Sequence, residues 1–120
     1  MIKVLVIDDD QVIRELLRVQ FEGRAYEVID ADNGDTGVAL ARAETPNLIV
    51  LDMNLPGMTG FEILPVLRSH PETRKIPVIA LTSHDSPEDR NEAHDAGCDR
   101  YVTKPVDAKR LFKAVDELVD

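Results

Sequence analysis

The sequence predicts an α/β fold: a three-layer sandwich in which a five-stranded parallel sheet is covered by helices on both faces. Two observations carry this. Short apolar runs rich in β-branched residues alternate with amphipathic segments at helical spacing, five of each. The most apolar runs, IKVLVI, NLIVLD and IPVIAL, lack the in-out alternation of a half-exposed strand, as expected where both sheet faces are buried. No repeat, low-complexity tract or linker breaks this order, and 120 residues suit one domain, read here as residues 1–120. A chain of this length buries roughly two-thirds of its unfolded surface, enough for a core without staples.

The elements follow in order. Ile2–Ile7 is the first strand. Asp10 caps a helix with Ile13, Leu16, Leu17 and Phe21 on its buried side, ended by Gly23. Ala25–Ala31 reads as a shorter, more polar strand, hence at a sheet edge. Asn33 caps a small-residue helix through Glu44, and Pro46 marks its end. Asn47–Asp52 is the third strand. Thr59–Arg68 is the third helix, with Phe61, Leu64 and Leu67 at helical spacing and Pro65 expected to kink it. Ile76–Leu81 is the fourth strand. Ser86-Pro87-Glu88-Asp89 supplies a cap, a first-turn proline and an acid three residues beyond the cap, so a helix spans 87–96. Asp99–Thr103 is the fifth strand. Asp107 caps a last helix with Leu111, Val115 and Leu118 in register.

Right-handed crossovers limit the possible topologies, and a flavodoxin-like (βα)5 strand order of 2-1-3-4-5 fits the polar second strand at an edge. Ligands in such folds sit beyond the carboxyl ends of the strands. There the first strand runs into Asp8-Asp9-Asp10, the third ends in Asp52, the fourth runs into Thr82-Ser83, and the fifth leads to Lys104-Pro105. With strands one and three as neighbours, Asp8, Asp9 and Asp52 converge on one pocket. Clustered carboxylates repel, so at least one pKa rises unless a cation intervenes. An all-oxygen site with no clustered His or Cys suits Mg²⁺. Thr82 adds a hydroxyl and Lys104 a mobile point charge, both apt for phosphate oxygens. An ionised aspartate, a metal, a hydroxyl and a lysine together make a phosphoryl-acceptor site, the aspartate acting as nucleophile.

The stretches VLVIDDD (4–10), LDMNLPGMTG (51–60), VIALTS (78–83) and YVTKP (101–105) resemble, in order and at successive strand ends, a response-regulator receiver domain of two-component signalling. The likeness to chemotaxis and single-domain cell-division regulators runs over essentially the whole chain. The resemblance implies that Asp52 is the phosphorylation site. Asp9, Asp52 and the backbone carbonyl of Asn54 would ligate Mg²⁺, or Mn²⁺ in its place, and Asp8 would act through water. Thr82 and Lys104 would contact the phosphoryl group, and Lys104–Pro105 would be a cis peptide. Tyr101 would be an aromatic switch following Thr82, although an aromatic merely packed on an edge strand is an equal reading. Asn54 and His84 would set how long the phosphoryl group lasts; a plain loop histidine is the other reading of His84. The donor would be a histidine kinase or histidine phosphotransfer protein. A downstream protein would read the face made by the 87–96 helix, the fifth strand and the last helix. That 87–96 helix offers only Ala93 and Ala96 for burial, so it is expected to be the least stable element.

Simpler roles fit other residues. Asp10 is an N-cap rather than a metal ligand, Cys98 a small core residue, and His70 and His94 lack ligand spacing. A phosphoaspartate phosphatase of the haloacid-dehalogenase type would carry a second aspartate two residues after its nucleophile, where this chain has Asn54. A pseudo-receiver would need a broken acidic pocket, and a flavodoxin-type electron carrier would need a Ser/Thr-rich phosphate loop after the first strand. The net charge of −9 opposes nucleic-acid binding. No apolar run reaches the roughly 20 residues of a membrane span. The N-terminus MIKVLVIDDD is too short and too quickly acidic for a signal peptide. A single cysteine suits the cytoplasm.

Overall fold

The computed structural model describes residues 1–83 and 86–119. Among them, strands β1 (Lys3–Ile7), β2 (Glu27–Ala31), β3 (Leu48–Asp52), β4 (Val78–Thr82) and β5 (Arg100–Thr103) alternate with helices α1 (Gln11–Glu22), α2 (Gly34–Glu44), α3 (Gly60–Ser69), α4 (Pro87–Ala96) and α5 (Ala108–Leu118). Every strand pairing is parallel, in the order β2-β1-β3-β4-β5. The expected flavodoxin-like sheet is therefore present, with the polar β2 at one edge and β5 at the other. None of the helices is long and apolar enough to cross a membrane, among the described residues.

Side chains alternate across each strand, and this splits the core in two. Leu5, Ile7, Ile49, Leu51 and Val78 pack with Ile63, Leu64 and Leu67 of α3, Ala41 of α2 and Ala93 of α4. Val4, Val6, Val50, Ile79 and Leu81 pack on the opposite face with Leu17 and Phe21 of α1 and Leu111, Phe112 and Val115 of α5. The inner strands β3 and β4 are buried along their whole length, which is why their sequences read as unbroken apolar runs. The caps behave as expected. Asp10, Asn33, Ser86 and Asp107 accept from the backbone N–H of Val12, Thr36, Asp89 and Lys109 at 2.9, 2.8, 3.1 and 2.9 Å.

Two expectations need correction. The second strand begins at Glu27 rather than Ala25, because Ala25 takes a left-handed φ of 64° and the Tyr26 N–H still donates to the Phe21 carbonyl at the end of α1. Leu16 is not in the core. Leu17 and Phe21 are buried, whereas Leu16 turns outward and is 46% exposed beside Val12 and Val19. A rotation of about 100° per residue cannot put adjacent leucines on the same line. Helix α3 carries Pro65 within it and runs on to Ser69 as one element. The proline ring is exposed, so the Phe61 carbonyl that loses its donor lies on the solvent side, where water can satisfy it.

Arg68 joins three segments that are distant in sequence. Its guanidinium donates to the carbonyls of Gly97 (2.7 and 3.1 Å), Ile76 (2.7 Å) and Arg74 (3.0 Å) and to the Asp99 carboxylate (3.1 Å). Asp99 in turn accepts from the Val78 N–H at 2.8 Å. Because several carbonyls would lose a charged donor at once, Arg68→Ala is expected to cost about 2–3 kcal/mol in urea unfolding. Cys98 is buried, and burial pushes its thiol up to about 11, so little thiolate exists at neutral pH. Iodoacetamide should leave the folded protein unlabelled and modify Cys98 fully in denaturant, as read by intact mass.

Candidate functional site

Strand adjacency builds the site. Ile7 of β1 stands opposite Leu51 of β3, so the next residues, Asp8 and Asp52, leave the sheet side by side. Their exposures are 0% and 2%, an unusual position for two carboxylates. Each is held in the same way. Asp8 accepts from the Asp10 N–H at 2.9 Å through Oδ1, and Asp52 from the Asn54 N–H at 3.0 Å through Oδ1. Their other oxygens both face one ammonium, since Lys104 Nζ lies 3.4 Å from Asp8 Oδ2 and 3.4 Å from Asp52 Oδ2. Lys104 reaches them because β5 delivers it to the same end of the sheet, and the Lys104–Pro105 peptide is cis, as expected.

This balance is incomplete. Burial, then repulsion from Asp52, raise the Asp8 carboxyl above its ordinary range, opposed by the Asp10 N–H and by Lys104. The Asp8 Oδ2 atom is buried and, despite the nearby ammonium, has no partner in hydrogen-bond geometry. Asp9 is exposed at the mouth, and one oxygen each of Asp8, Asp9 and Asp52 falls within 4.8 Å of the others. Three clustered carboxylates, one with an unsatisfied oxygen, fit a hard divalent cation with oxygen ligands.

Asn54 and Thr82 meet at the same rim, whereas Tyr101 stands two residues short of the end of β5, opposite Ala80. Thr82 is buried at the end of β4, and the Asn54 side-chain amide points to its hydroxyl at 3.4 Å, so a polar contact crosses from the turn after β3 to β4. Tyr101 is half-buried on β5, with the Arg90 guanidinium of α4 5.0 Å from its ring centroid. Asp10 is occupied as a cap. His84 lies outside the described residues.

Two further supports lie outside the expected site residues. Arg14 of α1 donates to the Asp8 carbonyl at 2.8 Å and to Asp30 of β2 at 3.2 Å, fixing the backbone that carries Asp8. The signal was present as Arg14 and Arg18 one helical turn apart, both facing Asp30. Gly60 donates to the Met53 carbonyl at 3.2 Å. A Cβ there would collide with the Met53 side chain and lie 2.8 Å from its Cα, so only glycine lets α3 start against the turn that carries Asp52.

Residues 4–116 match the response regulator receiver domain family. The chain belongs to that family. The receiver is 35% identical to the protein PilH of Pseudomonas aeruginosa over 119 residues, covering 99% of this chain and 98% of PilH. It is 37% identical over 116 residues to the response regulator PleD of Caulobacter vibrioides, covering 97% of this chain but 26% of PleD; the chain spans about a quarter of that relative. Among solved structures, the chemotaxis protein CheY4 of Vibrio cholerae superposes with a TM-score of 0.93 at 31% identity, covering 99% of both chains. Receivers serve two-component systems, and phosphorylation and Mg²⁺ binding at an acidic pocket are general to the family.

The Asp8 environment makes a stability prediction. Its folded pKa is raised, so its contribution to metal-free stability is full below the ordinary carboxylate range and is lost as pH rises through the folded value. Asp8→Asn should therefore unfold about 1–2 kcal/mol later than wild type at neutral pH without metal. The advantage should vanish in acid. A variant no more stable than wild type at neutral pH would contradict the cost assigned to burying the Asp8 carboxylate beside Asp52.

Proposed function

We propose that this receiver, a single domain over residues 1–120, takes a phosphoryl group on Asp52 from a phosphohistidine of a histidine kinase or histidine phosphotransfer protein. A downstream protein then reads the result. One observation carries the reading: Asp52 Oδ1 is occupied by the Asn54 N–H, while Oδ2 faces the Lys104 ammonium at 3.4 Å at the mouth of an acidic pocket. An oxygen of the ionised Asp52 attacks phosphorus, the N–P bond of the donor breaks, and its electron pair returns to the imidazole. Lys104 and the Thr82 hydroxyl meet the phosphoryl oxygens as their charge grows.

The donor set suits Mg²⁺, with Asp9, Asp52 and the Asn54 carbonyl as ligands and Asp8 acting through water; Mn²⁺ would serve in its place. Bound there, the cation offsets the charge of the carboxylates and of the incoming phosphoryl oxygens. Asp8 keeps the pocket anionic, and Arg14 holds its backbone. Asn54 stands where a phosphatase of the related chemistry would need an acid, which supports slow self-dephosphorylation over enzymatic turnover. Asn54 and His84 would control water access and thus phosphoryl lifetime.

Thr82 links pocket to surface. A phosphoryl group drawing Thr82 toward Asp52 would loosen its contact with Asn54 and let Tyr101 turn inward, changing the face formed by α4, β5 and α5. The donor has to cover the pocket mouth, and α1, which begins directly beyond Asp10, presents Val12, Leu16 and Val19 to solvent as one stripe. A buried, unpaired Cys98 suits the reducing cytoplasm.

Incubation with a small-molecule phosphodonor and Mg²⁺ should add one phosphoryl group by intact mass. Asp52→Asn or chelation should abolish the gain, and full labelling of Asp52→Asn would sink the assignment. Leu16→Glu should slow transfer from any histidine kinase that labels wild type by about tenfold or more, yet leave small-molecule labelling unchanged.

A further inference from the structure

The open edge of the sheet has a chemistry that the output reading leaves unspecified. β5 pairs on one side only, with β4, so its far side has no strand neighbour among the described residues. All four residues of β5 line a groove of about 430 Å³, walled by Arg90 of α4 on one side and by Arg110 and Lys113 of α5 on the other. With Arg100 of β5, the groove gathers four cations against one carboxylate, Glu117, in a chain whose net charge is −9. Glu117 is engaged by Arg100 at 3.4 Å, whereas Arg110 and Lys113 form no ion pair with any described residue. Among the described residues the site thus combines an unpaired strand edge with a positive rim along its α5 side.

We propose that this groove binds an extended, acidic segment of the downstream protein as a sixth strand beside β5. Backbone hydrogen bonds along a strand edge supply affinity, and side chains at alternate positions supply specificity. Carboxylates on those positions would meet Arg110 and Lys113. A second copy of this chain fits poorly, since pairing β5 with β5 would bring two positive rims together. A nucleic acid fits poorly as well, because the rest of the surface repels phosphates. Cations also guard strand edges against unwanted pairing, and that role would need no acidic ligand.

The inference rests on the α4–β5–α5 face being the output surface, and the test separates the two. The probe is a fluorescent peptide of alternating Glu and Val, with a Lys–Val peptide and a backbone N-methylated Glu–Val peptide as controls. Anisotropy should rise for the Glu–Val peptide alone, its affinity should fall as salt rises, and its amide shifts should centre on β5. Arg110→Glu combined with Lys113→Glu, both on the exposed side of α5, should weaken binding at least about tenfold with unchanged circular dichroism. No binding would overturn the proposal. So would equal binding of the N-methylated peptide, equal competition by a single-stranded oligonucleotide, or β5 shifts that follow protein concentration alone. Amide exchange with a phosphoryl mimic supplies the second readout. If exchange in α4 and β5 changes but no acidic peptide binds, the output surface stands and this inference fails. If the peptide binds identically with and without the mimic and exchange is unaltered, the acidic groove stands and the output reading fails.

Discussion

Two buried carboxylates stand side by side at the ends of neighbouring strands, and one ammonium faces both at 3.4 Å. In an apolar setting such a pair is costly without compensation, and most of the molecule serves to hold it. Parallel pairing of β1 with β3 sets the spacing of Asp8 and Asp52. The Asp10 and Asn54 N–H groups take one oxygen of each. β5, on the far side of β4, returns the chain so that Lys104 arrives from a third direction. What remains unsatisfied is Asp8 Oδ2, and that deficit gives the pocket its appetite for a cation.

The core and the site are separated along the strand axis rather than across the sheet. Apolar residues fill both faces of β3 and β4 up to their last residues, and polar chemistry starts where the strands stop. Thr82 and Asp52 are thus buried by position yet adjacent to solvent-facing turns. A side-chain contact such as Asn54 to Thr82 joins neighbouring strand ends without touching the packing beneath.

Strand and helix types, the caps and the acids at strand ends were legible because each is encoded locally, while the sheet order, and with it the convergence of Asp8, Asp9 and Asp52, followed from the rules of parallel α/β folds. What escaped was encoded at a distance. Arg68 finds its partners at positions 74, 76, 97 and 99, and nothing near it in the chain announces them. The left-handed turn at Ala25 lacks the glycine that usually marks such a conformation. Leu16 failed for another reason: adjacent apolar residues in α1 form two stripes, and periodicity alone does not say which one meets the sheet. The class of chemistry, a hard cation and a phosphoryl acceptor, followed from the residue types, whereas the individual ligand and switch roles were implied only by the resemblance.

Arg68 also determines how α4 is supported. Its guanidinium grips the carbonyl of Gly97, the C-cap of α4, at 2.7 Å, and Gly97 adopts a φ of 118° that side chains rarely tolerate. The helix itself sinks only Ala93 into the core. Mechanically, α4 is a cantilever: built in at its C-terminal end by Arg68 and lightly seated along its span. A displacement of Thr82 of the kind proposed above would reach α4 from its N-terminal end, away from the anchor at Gly97.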